Sequence, residues 1–418
     1  MRGGPTPDLL VVGAGPAGLA VAIAARREGL AVRVLDKAPG PPIDKACGEG
    51  VMPDGVAALA RMGIDLAALG GSPFAGIRYV DGEVTAEGEF PGEPGLAVRR
   101  TRLHAALAER AAAVGVEVEW GVRVVGLEGG GAGEQRRRGE RGGRWTAVTA
   151  DGDRLEAGLL VGADGLRSRI RTWADLGRDS ARGSRSSTEE SSPERGDAPA
   201  ADPTARFGVR RHYRVPAAER PRVVEVWWGE DCEAYVSPVG PEEVGIAMLW
   251  SGRKAGFDAL LAGFPRLAAR LVGRPVVSED RGAGPLLQRV RGVVRGDLAT
   301  GGLALVGDAG GYLDAITGEG LSLAFAQAEA LVAAVVAGNL PAYAAAHRRL
   351  GRVPNALTRL LLAVERRPPL RRRAIRALAA EPALFSLLLA IHARQRPARA
   401  FFPGGAARLA WRLATAAE

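Results

Sequence analysis

The chain has 418 residues, 47% of them hydrophobic, which is enough for two packed lobes or one large domain with an appendage. Lysine occurs only at positions 37, 45 and 254, so arginine supplies most of the positive charge behind the formal +9. No basic stripe is interleaved with aromatic residues, which makes nucleic acid a poor candidate partner. The four histidines lack metal-ligand spacing, so no metal site is predicted, and no apolar run is long enough to span a membrane. Two cysteines do not make a disulfide framework and favour a reducing compartment, by default the cytoplasm.

A glycine-rich turn stands near the N-terminus, between a predicted strand and a predicted helix. The apolar residues 9–12 lead into the motif Gly13-Ala14-Gly15-Pro16-Ala17-Gly18. Gly13 permits a tight turn, Gly15 lets the backbone approach a pyrophosphate, and Gly18 lets helix and strand pack closely. The next strand, 32–35, ends in Asp36, whose carboxylate can accept hydrogen bonds from a ribose diol. The pattern predicts a dinucleotide cradle at a helix N-terminus, and an ordinary turn is the alternative.

The middle of the chain carries a second glycine motif. A helix over 100–114 and a strand over 116–120 precede a Gly- and Arg-rich loop, 128–144, between two strands of a small antiparallel sheet. The strand 159–161 then leads into Gly162-Ala163-Asp164-Gly165. Residues 177–204 are rich in Ser, Arg, Glu, Pro and Asp and have little apolar surface to bury, so we predict a disordered insertion there.

Strand-like alternation resumes at residue 207. The segments 207–215, 223–228, 234–239 and 244–250 predict a meander that faces the substrate. His212, Trp227 and Tyr235 on these strands are candidates for substrate contact, and a structural role is the alternative for each.

A third motif follows the strand 303–306 and opens a helix over 321–337. Its first residues are Gly307-Asp308 and its last are Thr317-Gly318-Glu319-Gly320. Asp308 can bind the ribityl or diphosphate part of a flavin dinucleotide. The backbone amides from Gly318 to Leu321 point a helix N-terminus at the flavin ring, where the helix dipole stabilises the negative charge of the reduced ring. The three motifs together predict a flavin cradle built from distant segments.

The predicted C-terminal region is helical from residue 342 onward. It carries arginine clusters at 366–367 and 371–373 and an apolar stretch over 384–389. This stretch is predicted to pack in the core by default, and the alternatives are a lid over an apolar substrate or a weak contact with a membrane surface.

The order of the three motifs resembles that of class A flavoprotein monooxygenases and their relatives, the geranylgeranyl reductases, over nearly the whole chain. The resemblance implies an α/β architecture with a glutathione-reductase-like FAD-binding Rossmann domain, a mixed β-sheet substrate domain and a C-terminal helical region. The FAD domain would comprise 1–73, 99–176 and 285–341, and the substrate domain 74–98 and 205–284. The insertion, 177–204, and the helical region, 342–418, complete the chain.

The same resemblance implies the cofactors and the residues that hold them. It implies FAD as the bound cofactor and NAD(P)H as a transient electron donor. Arg100, in an Arg-x-x-Leu pattern, matches a position that contacts FAD, while Asp164, with Arg171 as a further candidate, is linked to both FAD and NAD(P)H. The predicted FAD-binding set is Gly13, Gly15, Pro16, Ala17, Gly18, Asp36, Lys37, Lys45, Cys47, Gly48, Arg100, Asp164, Gly165, Gly307, Asp308, Gly318, Gly320 and Leu321.

Two sub-patterns point in different directions within the resemblance. The segments 44–53 and 317–320 look like the geranylgeranyl reductase branch. However, residues 233–238 lack the aromatic-x-Trp-x-Phe-Pro signature of that branch, and the Trp-x-Trp-x-Ile-Pro motif of flavin halogenases is also missing. Ala315 stands where both of these branches commonly place proline.

The leading interpretation is an NAD(P)H-dependent FAD monooxygenase that uses dioxygen to hydroxylate or epoxidise an apolar, aromatic or polyketide-like small molecule of secondary metabolism. One alternative is an FAD-dependent reductase of prenyl double bonds, with Cys47 near the flavin and no use of oxygen. Another is a flavin-binding redox protein without turnover. The sequence assigns no catalytic acid or base and leaves the oligomeric state open.

Overall fold

The computed structural model describes residues 6–129, 144–177, 205–252, 255–402 and 404–415. The predicted loop over 128–144 and the predicted disordered insertion over 177–204 therefore lie almost entirely outside the described residues. Gly177, at the edge of the insertion, forms an isolated β-bridge with Val290.

The described residues form nineteen strands and eleven α-helices. The strands are β1 (Leu9–Val12), β2 (Val32–Asp36), β3 (Gly50–Val51), β4 (Ser72–Phe74), β5 (Gly76–Asp81), β6 (Val84–Glu89), β7 (Gly95–Ala97), β8 (Glu117–Trp120), β9 (Val124–Glu128), β10 (Thr146–Thr149), β11 (Arg154–Glu156), β12 (Leu159–Gly162), β13 (Arg206–Arg214), β14 (Val224–Trp228), β15 (Cys232–Gly240), β16 (Glu243–Ser251), β17 (Arg281–Ala283), β18 (Val294–Arg295) and β19 (Gly302–Leu305). The helices are α1 (Pro16–Arg27), α2 (Pro53–Met62), α3 (Arg100–Ala113), α4 (Arg169–Trp173), α5 (Phe257–Leu261), α6 (Pro265–Leu271), α7 (Gly320–Val336), α8 (Leu340–Glu365), α9 (Pro368–Ala379), α10 (Pro382–His392) and α11 (Gly404–Thr415).

A six-stranded sheet brings the three glycine motifs together. Its order is β18-β19-β12-β1-β2-β8, parallel throughout except for β18. The short runs that form β1, β12 and β19 are fully buried, as expected for parallel strands covered on both faces. Because these three strands are neighbours and parallel, the motifs that follow them emerge at the same edge of the sheet.

A seven-stranded sheet forms the second layer, in the order β17-β13-β16-β15-β14-β5-β6. The predicted meander supplies β13 to β16, and all the pairings among these strands are antiparallel. Only β14, β15 and β16 pair in chain order, because β13 pairs with β16 and not with β14. Strand β5 joins parallel to β14. One face packs against α5 and α6 in a core that contains Trp227, Phe257 and Phe264, and the other face packs against α9 and α10 through Trp228, Phe385 and Leu389.

Two small sheets, β9-β10-β11 and β3-β7-β4, complete the strand architecture. The first matches the antiparallel sheet predicted around residues 128–144. Strand β7 pairs with β3 and β4 and not with the seven-stranded sheet, so only part of segment 74–98 joins that sheet.

The C-terminal helices cover one face of the seven-stranded sheet. Leu384, Phe385 and Leu389 of α10 are buried there, in line with core packing of the apolar stretch. Among the described residues, every helix is too short or too polar to cross a membrane alone; α9 and α10 reach the necessary length and composition only together, and they are bent by 105°.

Candidate flavin and substrate site

A cavity of about 1940 Å³ lies where the three glycine motifs face the seven-stranded sheet and the C-terminal helices. Pockets for small ligands are typically about 300–1,000 Å³, so this cavity has room for a dinucleotide and a second molecule. One part of its wall is glycine-rich and polar, and the other part is apolar.

The first motif has the backbone that a diphosphate cradle requires. A Cβ on Gly13, at φ +108°, would lie 2.4 Å from the carbonyl oxygen of Ala163, and one on Gly18 would lie 1.8 Å from the carbonyl oxygen of Gly13. A Cβ on Gly15 would meet nothing within 4 Å. Gly13 and Gly18 are therefore needed for packing, whereas Gly15 borders open space at the uncapped N-terminus of α1, where backbone amides are free to bind an anion.

Asp36 and His104 hold this turn in place. The Asp36 carboxylate accepts hydrogen bonds from the backbone amides of Ala14, at 2.6 Å, and Ala38, at 2.8 Å. His104 accepts a bond at Nδ1 from the Ile43 amide, 3.2 Å away, so its Nε2 carries the proton and donates to the Ala14 carbonyl at 2.8 Å. Burial lowers the pKa of His104, which favours this neutral form. The sequence analysis missed His104, although it follows Arg100 by one helical turn on α3.

The second motif is fixed to the third through Arg171. Its guanidinium donates to the carbonyls of Leu166 at 3.0 Å and Ala309 at 3.1 Å, and to the Gln288 side chain at 2.7 Å. Arg171 is buried and is not part of the cavity wall, so the contact with FAD and NAD(P)H that the family resemblance suggested for it does not fit its position.

Asp164 offers an unused acceptor to the cavity. Its Oδ2 accepts from the amides of Arg169 at 2.8 Å and Ile170 at 3.1 Å, while Oδ1 is buried and has no hydrogen-bond partner among the residues that the structure describes. Burial raises the pKa of this carboxyl. A hydroxyl donor from a dinucleotide would satisfy the unpaired oxygen, so the site fits FAD.

Lys45 and Asp308 connect the loop 44–50 to the third motif. Their side chains form an ion pair at 2.8 Å on the cavity wall. The same loop is bound to the seven-stranded sheet, because Ser237 Oγ donates to the Gly48 carbonyl at 2.7 Å. Cys47 also lines the cavity, and its sulfur accepts a bond from the Glu49 amide at 3.3 Å.

His212 does not contact the cavity, contrary to the prediction that it contacts the substrate. It is fully buried and its Nε2 is bonded to the carboxylate of Glu49. On the other side, Arg210 donates to its Nδ1 at 2.9 Å, and Ser278 Oγ lies 2.8 Å from the same nitrogen. The sequence did not indicate this partnership, because Glu49 is 163 residues away.

Adjacent tryptophans on β14 face opposite sides, and the predicted candidate, Trp227, is not the one that lines the cavity. Trp227 packs with α5 and α6 and donates its indole N–H to Glu225 at 3.0 Å. Trp228 lines the cavity instead, in edge contact with Tyr79 at 5.8 Å between ring centroids. Tyr235 does line the cavity, and its hydroxyl donates to the Ile316 carbonyl at 3.0 Å.

The predicted ring-binding helix begins where expected. Helix α7 starts at Gly320, and its N-terminus has no side-chain cap. Gly318, at φ +68°, borders open space, and Gly318, Gly320 and Leu321 line the cavity. The free amides and the positive end of the helix dipole therefore face the site.

Behind this helix start, Glu319 and His392 form a buried pair that the sequence analysis missed. His392 lines the cavity, and its Nε2 lies 2.9 Å from the Thr317 carbonyl, so Nε2 carries the proton and Nδ1 faces Glu319 Oε2 at 3.4 Å. Burial raises the pKa of Glu319 to about 8 and lowers that of His392 to about 4. Both groups are therefore neutral near pH 7, which suits a protonated carboxyl facing an imidazole lone pair.

A second buried cluster fixes the loop before α7. Arg206 on β13 contacts Glu233 and forms ion pairs with Asp314, at 2.9 Å, and Glu365, at 3.2 Å. Burial raises the pKa of Glu233 to about 8. The cluster joins the third motif, the seven-stranded sheet and the end of α8 around one guanidinium.

Every member of the predicted FAD-binding set lies on the cavity wall except Gly18, which packs against Gly13. The binding role of each individual residue stays a prediction.

Comparison with known proteins agrees with this geometry. Residues 6–192 match a family model described as an FAD binding domain. The chain therefore contains an FAD-binding domain, and the predicted cofactor FAD is confirmed.

Two curated proteins and one solved structure illustrate what the chain is similar to. A menaquinone reductase of Mycolicibacterium smegmatis is 35% identical over 176 residues, 40% of each protein, and a flavin-dependent monooxygenase of Mycobacteroides abscessus is 31% identical over 188 residues, 40% of this chain and 37% of that protein. The chain thus matches about two fifths of the length of these curated relatives. The structure of a flavoprotein/dehydrogenase from Cytophaga hutchinsonii superposes with a TM-score of 0.70 at 19% identity and covers 93% of this chain and 92% of that one. This likeness confirms the predicted FAD-binding α/β fold, while the finer resemblance to geranylgeranyl reductases stays a prediction.

Proposed function

We propose that the protein is an FAD-dependent monooxygenase that uses NAD(P)H and dioxygen to hydroxylate or epoxidise an apolar small molecule, with aromatic and polyketide-like metabolites as the leading class. The observation that carries the proposal is the continuity of the cavity, in which the glycine-rich cradle opens directly into an apolar chamber. The similarity to a flavin-dependent monooxygenase supports it. Two free cysteines fit a reducing, cytoplasmic setting.

In this reaction the residues of the chain bind FAD, exclude water and hold the substrate. The amides at the start of α1 would hold the diphosphate of FAD, and those at the start of α7 would hold its ring end. Bound FAD supplies hydride acceptance from NAD(P)H and the activation of dioxygen. Tyr79, Trp228, Ile316 and Phe385 line the chamber, so they would exclude water from the reacting centre and would hold an apolar substrate there.

A second candidate function is the FAD-dependent reduction of prenyl double bonds. The observation that favours it is the length of the apolar chamber, which continues past the sheet between α8, α9 and α11 and would accept a chain-like substrate. The similarity to a menaquinone reductase points the same way. Cys47 would then lie beside the flavin without taking part in oxygen chemistry.

One experiment separates these functions. The FAD-loaded protein is mixed anaerobically with NADH or NADPH, and bleaching of the flavin is followed by stopped-flow absorbance. The reduced protein then receives ¹⁸O₂ together with a panel of phenols, polyketide-like aromatics and menaquinone. We expect rapid bleaching and ¹⁸O in an organic product. A product with two added hydrogens, formed without oxygen uptake, would contradict the proposal and show that the protein is a reductase. If neither nucleotide bleached the flavin, the protein would be a flavin-binding protein without turnover.

A further inference from the structure

The cavity opens to solvent through apolar side chains of the C-terminal helices. Val353 and Leu360 lie seven residues apart, on one face of α8, and Leu370 lies on α9; all three line the cavity and are 40%, 58% and 38% exposed. Apolar side chains therefore continue from the chamber to the surface at these three positions.

Two large aromatic residues stand beside this opening. Phe402 and Trp411 are 65% and 68% exposed, while their neighbours Phe401 and Leu413 line the cavity. Trp411 shares an exposed face of α11 with Ala407 and Ala414, at helical spacing. We call Val353, Leu360, Leu370, Phe402 and Trp411 the apolar rim. Half of the ten large apolar residues that are exposed among the described residues belong to it.

The charge around the apolar rim is strongly positive. Residues 342–418 contain fifteen arginines and three acidic residues, a formal charge of +12, so the other 341 residues carry −3. Two of the three acids are neutralised in place, because Glu365 pairs with Arg206 and Glu381 with Arg412. Arg349 and Arg352 line the cavity, and Arg366 and Arg367 are exposed between α8 and α9.

We propose that the apolar rim docks on a bilayer that contains anionic phospholipids, so that an apolar substrate dissolved in the membrane enters the cavity between α8, α9 and α11. Exposed Trp, Phe and Leu enter the boundary between headgroups and acyl chains, and arginines bind the lipid phosphates. Charge complementarity and the position of the rim at the cavity mouth favour this occupant over a protein partner. The proposal rests on the apolar substrate class of the proposed function.

The test measures how much FAD-loaded protein floats with large vesicles, in the absence of any substrate. We expect binding to vesicles of equal parts phosphatidylglycerol and phosphatidylcholine, and much weaker binding to phosphatidylcholine alone or at high salt. The variant F402S/W411S should bind at least tenfold more weakly, and R366Q/R367Q roughly fivefold more weakly for each arginine removed. Val272→Ser is the matched control, since Val272 is 78% exposed at the C-terminal end of α6, which packs on the other face of the sheet.

These measurements test binding of the apolar rim to membranes independently of the reaction that the protein catalyses. Flavin content, measured in the same samples, should be unchanged in all variants. Wild-type protein that keeps FAD but fails to float, or that floats as well as F402S/W411S, overturns the proposal and leaves an acidic protein as the alternative occupant. Equal binding to both vesicle types also overturns it, because the arginines would then contribute nothing. None of these results depends on monooxygenase or reductase activity.

Discussion

The imidazole of His212 is bonded through Nε2 to the carboxylate of Glu49, and both side chains are buried at the junction between the cradle loop 44–50 and strand β13. Because Arg210 donates to Nδ1, Nε2 carries the proton that Glu49 accepts. This contact positions the loop that carries Lys45 and Cys47 on the cavity wall.

We therefore expect His212→Ala to destabilise the protein and not to alter substrate choice directly. Loss of the imidazole leaves the buried Glu49 Oε2 without its partner, at a cost of about 1–3 kcal/mol, while Oε1 keeps the Arg100 amide at 2.8 Å. Thermal unfolding of the FAD-loaded protein should show a large fall in Tm, with a smaller fall for His212→Gln. Arg214→Ala, on an exposed position of the same strand, is the control. An unchanged Tm with altered coupling of oxygen uptake would restore the substrate-contact role.

Gly15 and Gly18 should respond differently to a side chain. Gly15→Glu places a charged side chain in open space, so it should leave the stability of flavin-free protein nearly unchanged and abolish FAD binding. Gly18→Ala forces a Cβ to within 1.8 Å of the Gly13 carbonyl oxygen, so it should destabilise the protein with or without flavin. Flavin absorbance after gel filtration and Tm of the flavin-free protein measure the two effects. Full retention of FAD by Gly15→Glu would contradict the assigned cradle.

Trp227 and Trp228 provide a matched pair on opposite faces of β14. Trp228→Ala opens the cavity wall, so it should raise KM or uncouple oxygen uptake from product before it lowers flavin content. Trp227→Ala leaves a void against α5 and α6 and should cost about 3–5 kcal/mol of stability with KM unchanged. Steady-state kinetics of both variants measure the change in KM and coupling, and chemical unfolding measures the change in stability. Kinetic effects confined to Trp227→Ala would place the substrate on the other face of the sheet.

The buried carboxyl of Glu319 makes stability depend on pH. Its pKa is raised to about 8 in the fold, against about 4.3 in an unfolded chain, so its contribution to stability is complete below about pH 4.3 and is lost as pH rises through 8. Over that interval the wild type should lose about 1.4 kcal/mol per pH unit relative to Glu319→Gln, whose side chain cannot ionise. Tm of both proteins at pH 5, 6.5 and 8, with FAD at saturation, measures the divergence. Parallel Tm curves would show that Glu319 is ionised in the fold.

Local patterns in the sequence were sufficient to predict the flavin cradle. Gly13 has a positive φ, and Gly18 packs on the carbonyl oxygen of Gly13 five residues away; such local requirements are visible at fixed spacing. The convergence of the motifs at Gly13, Asp164 and Asp308 also follows from a general rule, because β1, β12 and β19 are parallel neighbours whose carboxyl ends share one edge.

The apolar part of the site was decided only by the tertiary structure. Alternation along β14 predicts that Trp227 and Trp228 face opposite sides, but both faces of the sheet are covered by helices, so hydrophobicity does not show which side holds the cavity. His212 and Glu49, and likewise Glu319 and His392, meet across long stretches of chain that no local spacing connects. The sequence determined which backbone can cradle a dinucleotide, since that depends on local conformation. Packing determined which side chains line the cavity, since that depends on how distant elements share one buried volume.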